Sequence, residues 1–312
     1  MSSTSKSNRI IVPAILFLVI AFSVVIYIYF GGHRQIHKSE TNDAGIADSA
    51  SITRWDIIPN GNVSGTYIIF KDTGIWKIRL QNHNIVDADM KIVSRSLKHL
   101  SKFNIAEGAK LDKTKWKNET LDDNGTRIVI YVGKRITDTY IISKLEFVDQ
   151  YKSSYYIRKI NSDSVYLLKE TYLGGSVIAE EQNFRKREMA AVSPAFFKTI
   201  RIVAPDTNVY YLLENVLGSW ELSGHTLDQG MVKAYAKMLS MLQIPAFAAG
   251  NASNPPGATI TIDTKFGPIK LMASREPNGK WILSSSVNVG NSLELTDPQV
   301  HMIFPGLHFF LP

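Results

Sequence analysis

The fold is decided by two stretches of similar sequence, ITRWDIIPNGNVSGTYIIFKDTGIWKIRL at residues 52–80 and FFKTIRIVAPDTNVYYLLENVLGSWELSG at residues 196–224. They can be laid over each other without a gap. The matched residues are then Tyr67 with Tyr211, Ile68 with Leu212, Trp76 with Trp220 and Ile78 with Leu222. A repeat of this kind predicts that one structural unit occurs twice in the chain.

Both copies continue through the same series of patterns. The turns at Pro59-Asn60-Gly61 and Pro205-Asp206, flanked by alternating apolar residues, predict a hairpin that ends in a tryptophan strand. The next segments carry apolar residues three or four positions apart, which predicts one helix in each copy. Asp87 and Asp228 precede these helices as expected N-caps. The apolar stripes are Met90, Val93, Leu97 and Leu100 in the first copy and Met231, Tyr235, Met238 and Leu242 in the second.

Alternating patterns return after each predicted helix. They lie at 127–131, 140–142, 155–157 and 165–168 in the first copy, and at 259–262, 269–272, 280–283 and 292–295 in the second. Each unit therefore reads β-β-α-β-β-β-β, an α+β fold with one main helix against an antiparallel sheet. We expect the first unit to span residues 52–183 and the second residues 194–312.

The N-terminal part predicts a membrane anchor. Residues 10–30 read IIVPAILFLVIAFSVVIYIYF, a run without charge that is long enough to cross a hydrocarbon core of about 30 Å as a helix. This core is longer than that of a cleaved signal peptide, and no small-residue cleavage site follows it, so an uncleaved signal anchor is favoured. Residues 1–9 would form a cytoplasmic tail, and the polar residues 31–51 a stalk. The large C-terminal part is then expected on the periplasmic side of a bacterial inner membrane.

Composition excludes several classes of function. Hydrophobic residues make up 45% of the 312 residues and charged residues 20%, which is ordinary globular usage. The net charge of +7 is spread along the chain, and the basic run Arg185-Lys186-Arg187 is expected on a solvated loop. Nucleic acid is not an expected partner. Because cysteine is absent, the chain has no disulfide, no thiolate metal site and no acylated cysteine.

These patterns resemble a known family. The residues that carry the resemblance are the hairpin ending in tryptophan, the helix running into Phe247-Ala-Ala-Gly250, and the strands with Tyr156-Ile-Arg158 and Trp281-Ile-Leu. Together they resemble the bacterial domain of unknown function 4340 family. The resemblance implies an N-terminal membrane helix followed by two such units. It also implies an accessory role in the envelope, since members are often encoded beside permease components of ABC exporters, including those of gliding motility. It implies no catalytic residues.

No catalytic, cofactor-binding or metal-binding residue is predicted. The chain lacks HExxH, Walker, G-x-S-x-G and G-x-G-x-x-G motifs. The acidic pairs Asp122-Asp123 and Glu180-Glu181 could act on a glycan if two carboxylates were held close together, but both lie in turn or linker sequence. Tryptophans could stack on a sugar, but the matching positions of Trp76 and Trp220 favour core packing.

Three functions remain open at this stage. The first is a non-enzymatic envelope protein whose modules bind a partner, with permease subunits of an ABC-type exporter as candidates. The second is a periplasmic glycan- or peptide-binding protein, or a hydrolase, with a cleft between the two units. The third is a structural spacer or homo-oligomer in which partner strands cover the sheet edges.

Overall fold

The computed structural model describes residues 48–101, 105–109, 113–143, 146–149, 152–168, 178–205, 210–222, 225–250 and 252–312. The predicted tail 1–9, the predicted spanning segment 10–30 and residues 31–47 of the predicted stalk lie outside these ranges. Within them, no helix has the length and apolar character needed to cross a bilayer. The last stalk residues form a short 3-10 turn, Ser49–Ser51, because the Asp48 carboxylate accepts a hydrogen bond from the Ala50 N–H.

Residues Ile46–Pro312 form one compact unit that contains two antiparallel sheets and few helices, an α+β fold that is mostly β. The strands of the first sheet are β1 (Ile52–Ile58), β2 (Tyr67–Asp72), β3 (Ile75–Arg79), β4 (Ile85–Asp87), β5 (Ile105–Ala109), β6 (Thr126–Val132), β7 (Arg135–Ile142), β8 (Glu146–Asp149), β9 (Lys152–Lys159) and β10 (Val165–Leu168). Those of the second are β11 (Phe197–Val203), β12 (Tyr210–Val216), β13 (Ser219–Glu221), β14 (Ala258–Thr264), β15 (Gly267–Arg275), β16 (Trp281–Ser285) and β17 (Asn288–Leu295). The described α-helices are α1 (Met90–Ser101), α2 (Gln229–Ser240) and α3 (Asp297–Ile303).

The two sheets share a strand order. The first runs β4-β3-β2-β1-β6-β7-β9-β10-β5 with β8 beside β9, and the second runs β13-β12-β11-β14-β15-β16-β17. Seven strands of the first sheet, from β3 to β10, therefore follow the same path as the whole of the second. Both sheets also carry a bulge at the start of the corresponding strand, after Ile52 in β1 and after Phe197 in β11.

Two details of the predicted repeat were wrong. Among the described elements, four strands precede the main helix of the first half and three that of the second, where the sequence predicts two. In both halves a two-residue turn with positive φ at both residues divides the tryptophan hairpin. These turns are Thr73-Gly74 and Leu217-Gly218. The alignment also needs a gap, since Ile57 pairs with Tyr67 whereas Ile202 pairs with Tyr211. The first loop is thus one residue longer than the second.

The helices are capped and buried somewhat differently from the prediction. Asp228 caps α2 as expected, with its carboxylate accepting from the Gly230 and Met231 N–H groups. In α1 this role belongs to Asp89, which accepts from Lys91 and Ile92, whereas Asp87 ends β4. The buried face of α1 consists of Val93, Ser96 and Leu100, and that of α2 of Val232, Tyr235, Ala236 and Leu239, while Met90 and Met231 are exposed.

Each half closes its core with a segment that follows its last strand. In the first half, the Phe184 ring lies 6.3 Å from Trp55 and 6.2 Å from Tyr67. In the second, the Phe310 ring lies 6.0 Å from Tyr211 and 5.1 Å from Tyr235. The backbone repeats this arrangement, because the N–H of each helix cap donates to the carbonyl of the closing phenylalanine. These bonds are Asp89 to Phe184 at 2.7 Å and Asp228 to Phe310 at 2.9 Å.

Candidate binding cleft between the two sheets

A cleft of about 660 Å³ opens where the two halves meet. One wall consists of residues 80–82, just after β3, and the segment 178–185. The other wall is the segment 245–249, just after α2. The second wall is held in place by β17, since the Ala248 N–H donates to the Ser292 carbonyl at 2.9 Å and the Ser292 hydroxyl to that of Gly250. Volumes in this range are typical of ligand-binding clefts.

An arginine stacked on a phenylalanine connects the two walls. The Arg185 guanidinium carbon lies 3.8 Å from the centroid of the Phe247 ring, and that of Arg187 lies 4.9 Å from the same ring. Arg187 also donates to the carbonyls of Ile244 and Pro245 at 2.9 and 3.0 Å. Burial lowers the pKa of Arg185, and the Glu181 carboxylate partly opposes this, but a guanidinium keeps its proton in proteins. The cleft therefore contains a fixed positive charge on an aromatic surface.

Two carboxylates line the same opening, on the wall that also contains Arg185. Glu181 is half-buried and accepts a 2.7 Å hydrogen bond from the Gln81 N–H, while Glu180 is exposed and accepts from the Gln182 amide. Below them the Tyr67 hydroxyl donates to the Ala179 carbonyl. Burial, together with the two neighbouring carboxylates, raises the pKa of the Tyr67 phenol. Both signs of charge thus face a cleft whose inner surface includes Leu80 and Phe247.

A buried network of polar groups fixes the two halves to each other beneath the cleft. The fully buried Asn288 amide donates to the carbonyls of Lys186 and Glu188 at 3.0 and 3.1 Å. Asn291, also buried, donates to the Asp87 carbonyl at 3.0 Å and accepts from Arg185 at 2.9 Å. These bonds connect β17 and β4 through the segment between the halves, and so they position Arg185 at the cleft.

Most of the candidate site residues named from the sequence lie outside the cleft. Asp122 accepts from the Asn124 N–H in an exposed turn, and Asp123 pairs with Arg127 at 2.7 Å; neither lines the cleft. The tryptophans considered for sugar stacking, Trp55, Trp76, Trp220 and Trp281, are each at most 5% exposed. Their rings pack in the cores, as the repeat predicts for Trp76 and Trp220. Among the described residues, no cluster of three metal-ligating side chains occurs.

The expectation of a solvated loop at Arg185-Lys186-Arg187 was wrong. All three side chains are half-buried, and the Lys186 ammonium donates to the Val287 carbonyl at 2.5 Å. Backbone carbonyls at the junction accept hydrogen bonds from Lys186 and Arg187. Glu180-Glu181 does line an opening, although its sequence indicates a linker. Arg185 could not be found from sequence, because its partners Phe247 and Asn291 are distant in the chain.

A family model matches residues 76–262 of the chain. The family is described as a domain of unknown function, DUF4340. This chain belongs to that family. Among curated proteins and among solved structures, none matches the chain. The part that matches the DUF4340 model runs from β3 into β14 and therefore includes residues 178–185 and 245–249 from the two walls of the cleft.

Proposed function

We propose that this DUF4340 protein is a non-catalytic, membrane-anchored envelope protein that holds a segment of a partner protein in the cleft between its two sheets. The partner we propose is a permease subunit of an ABC-type transport system, of the kind that includes gliding-motility exporters. In this proposal residues 10–30 anchor the chain in the bacterial inner membrane, and the two sheets lie on the periplasmic side.

The observation that carries the proposal is the Arg185–Phe247 stack in an open cleft that Glu181 also lines. An extended peptide offers apolar side chains together with hydrogen-bonding groups. A surface with an aromatic centre and charges of both signs suits such a ligand. The walls are held by hydrogen bonds to strands, so little ordering would be required on binding.

The proposal also treats the two halves as copies of one unit. The common strand order, the corresponding bulges and the matching bonds from helix cap to phenylalanine support this. A binding site between two copies is a common arrangement, since the boundary between similar lobes forms a groove.

Filling the cleft tests the proposal in the full-length chain. Ala249 is exposed and lines the cleft, so Ala249→Trp would fill it without disturbing a core. The matched control is Ala234→Trp on the exposed face of α2. A photo-crosslinking residue at exposed Ala246 would capture the partner in cells.

We expect the permease to be crosslinked at position 246 and to co-purify in mild detergent with the unaltered chain and with Ala234→Trp, but not with Ala249→Trp. Recovery of the full-length protein without any membrane partner would overturn the proposal. Equal recovery of the permease with both tryptophan variants would place the contact outside the cleft.

The second candidate is a periplasmic glycan- or peptide-binding protein or hydrolase, and the observation that favours it is the position of Glu180 and Glu181 at the cleft. If it holds, purified protein cleaves peptidoglycan fragments or periplasmic peptides, and Glu181→Gln removes cleavage while leaving binding intact. Binding without cleavage, abolished by Ala249→Trp, would favour a binding protein of the same class.

A further inference from the structure

One end of the second sheet is apolar and exposed. The turn between β12 and β13 places Leu217 fully in solvent, with Val216 beside it 45% exposed. The turn between β14 and β15 places Phe266 70% exposed. Both turns lie at the same end, because Phe197, at the start of β11, pairs with Thr264 and accepts a bond from Asn215. We call Phe196, Val216, Leu217, Lys265 and Phe266 the apolar tip.

A lysine is built into this surface. The Lys265 ammonium lies 3.6 Å from the centroid of the Phe196 ring and 4.8 Å from that of Phe266, and the two rings pack edge to face at 5.3 Å. Among the described residues, Lys265 forms no ion pair. A cation held by aromatic rings and free of carboxylates is available to an anionic partner.

Leu217 is an unfavourable choice for its own turn. Its φ of +52° is in the left-handed region, where glycine, asparagine and aspartate are the usual residues. The corresponding turn of the first sheet has the polar Thr73 at φ +47°. A fully exposed leucine in a strained position contributes nothing to packing, so its presence points to a contact outside the chain.

We propose that the apolar tip inserts into the surface of an anionic bilayer, with Leu217 and Phe266 at the level of the headgroups and Lys265 beside lipid phosphates. Exposed apolar side chains with a neighbouring lysine are the composition that binds at such interfaces. This inference rests on the anchor in the proposed function: residues 31–47 reach at most roughly 60 Å when extended, which keeps the sheets close to the bilayer.

The absence of cysteine allows a direct test in the full-length chain. Single variants Leu217→Cys and Phe266→Cys carry an environment-sensitive fluorophore. The control is Val63→Cys, which replaces an apolar residue of the first half that is about as exposed as Phe266. Each is reconstituted in vesicles of phosphatidylcholine with or without phosphatidylglycerol. We expect labels at 217 and 266 to show blue-shifted emission and quenching by brominated lipids, and the label at 63 to show neither. Both signals should be stronger with phosphatidylglycerol, and Lys265→Gln should weaken them.

Leu217→Asn separates lipid contact from a structural role, because it improves the turn while removing the apolar group. We expect unchanged or higher thermal stability together with a loss of the quenching reported from position 266. Labels that report water in both kinds of vesicle would overturn the proposal. So would labels shielded from water but not reached by brominated lipid, since they would indicate a protein partner.

Alkaline carbonate extraction tests the membrane anchor separately from the apolar tip. If carbonate releases the chain, the anchor is wrong. The apolar tip must then still show the blue shift when free phosphatidylglycerol vesicles are added, or the proposal fails as well.

Discussion

Tyr67 and Tyr211 have matching roles in the two halves. Each is buried, and each hydroxyl donates to a backbone carbonyl of the segment that closes its core, Ala179 in one half and Pro305 in the other. A buried carbonyl without a donor is costly. The alignment of these two tyrosines in the sequence therefore reflects a shared bond as well as shared hydrophobicity.

Removing one hydroxyl measures this bond. We expect Tyr67→Phe to lower the free energy of unfolding by about 1–2 kcal/mol, because the Ala179 carbonyl loses its donor. Tyr210→Phe is the matched control, since Tyr210 is 63% exposed and precedes Tyr211 in the same strand. Denaturant unfolding gives the free energy of unfolding of both variants. Equal free energies for Tyr67→Phe and Tyr210→Phe would contradict the role assigned to the bond.

Alkaline pH should destabilise the fold through the same groups. Burial raises the pKa of Tyr67, Tyr211 and Tyr235 in the folded state. The stability that these neutral phenols contribute is complete below the unfolded value of about 10 and is lost as the pH rises above it. We expect tyrosinate absorbance of these residues to appear together with unfolding. Their ionisation in a chain that remains folded would contradict the prediction.

At the scale of elements, the two main helices both begin with an aspartate N-cap. Asp89 and Asp228 each accept backbone N–H bonds in the first turn. Asp87, which the sequence predicts as the cap of α1, instead accepts the Val289 N–H with its carboxylate at 3.1 Å. Two nearby aspartates therefore have separate tasks, one within a helix and one between the sheets.

This division can be tested by removing each carboxylate. We expect Asp89→Ala to cost about 1 kcal/mol and to lower helix content, because α1 loses its cap. Asp87→Ala should leave helix content unchanged and loosen the contact between β4 and β17. Hydrogen exchange of the α1 amides and of the Val289 amide separates the two effects, and faster exchange of the α1 amides in Asp87→Ala would count against the assignment.

Sequence patterns predict these elements only in part. Alternation around Tyr67 and Tyr211 identifies strands, and Asp228 identifies a helix start, because these signals are local. The turns at Thr73-Gly74 and Leu217-Gly218 were missed although a glycine marks each. The cleft could not be predicted from the sequence, because Arg185 contacts Phe247 only through the packing of one half on the other.

At the scale of the whole molecule, the junction determines whether the halves behave as one body. Asn288 and Asn291 are buried, and their amides donate to carbonyls of the first half and of the segment that follows it. Gly290 between them has a φ of +78°, and a Cβ there would lie 2.9 Å from the Ile85 carbonyl oxygen. The approach of β17 to β4 requires a residue without a side chain.

Loss of the central amide should weaken this connection. We expect Asn288→Ala to cost on the order of 2 kcal/mol, because it leaves the part-buried Lys186 and Glu188 carbonyls without this donor, and to separate the unfolding of the two halves. Asn84→Ala, at an exposed position, is the control. Calorimetry of both variants shows whether the two halves unfold together or separately. A single transition of unchanged midpoint in Asn288→Ala would contradict the expectation.

The closing phenylalanines have a consequence for biosynthesis. Once Phe184 has left the ribosome, it can pack on Trp55 and Tyr67 of the first half before any strand of the second sheet has been made. The second half has to wait for Phe310. The core of the first half can therefore form during synthesis. The apolar side chains of the second half stay exposed until Phe310 has emerged, and this interval sets how long the nascent chain needs a chaperone.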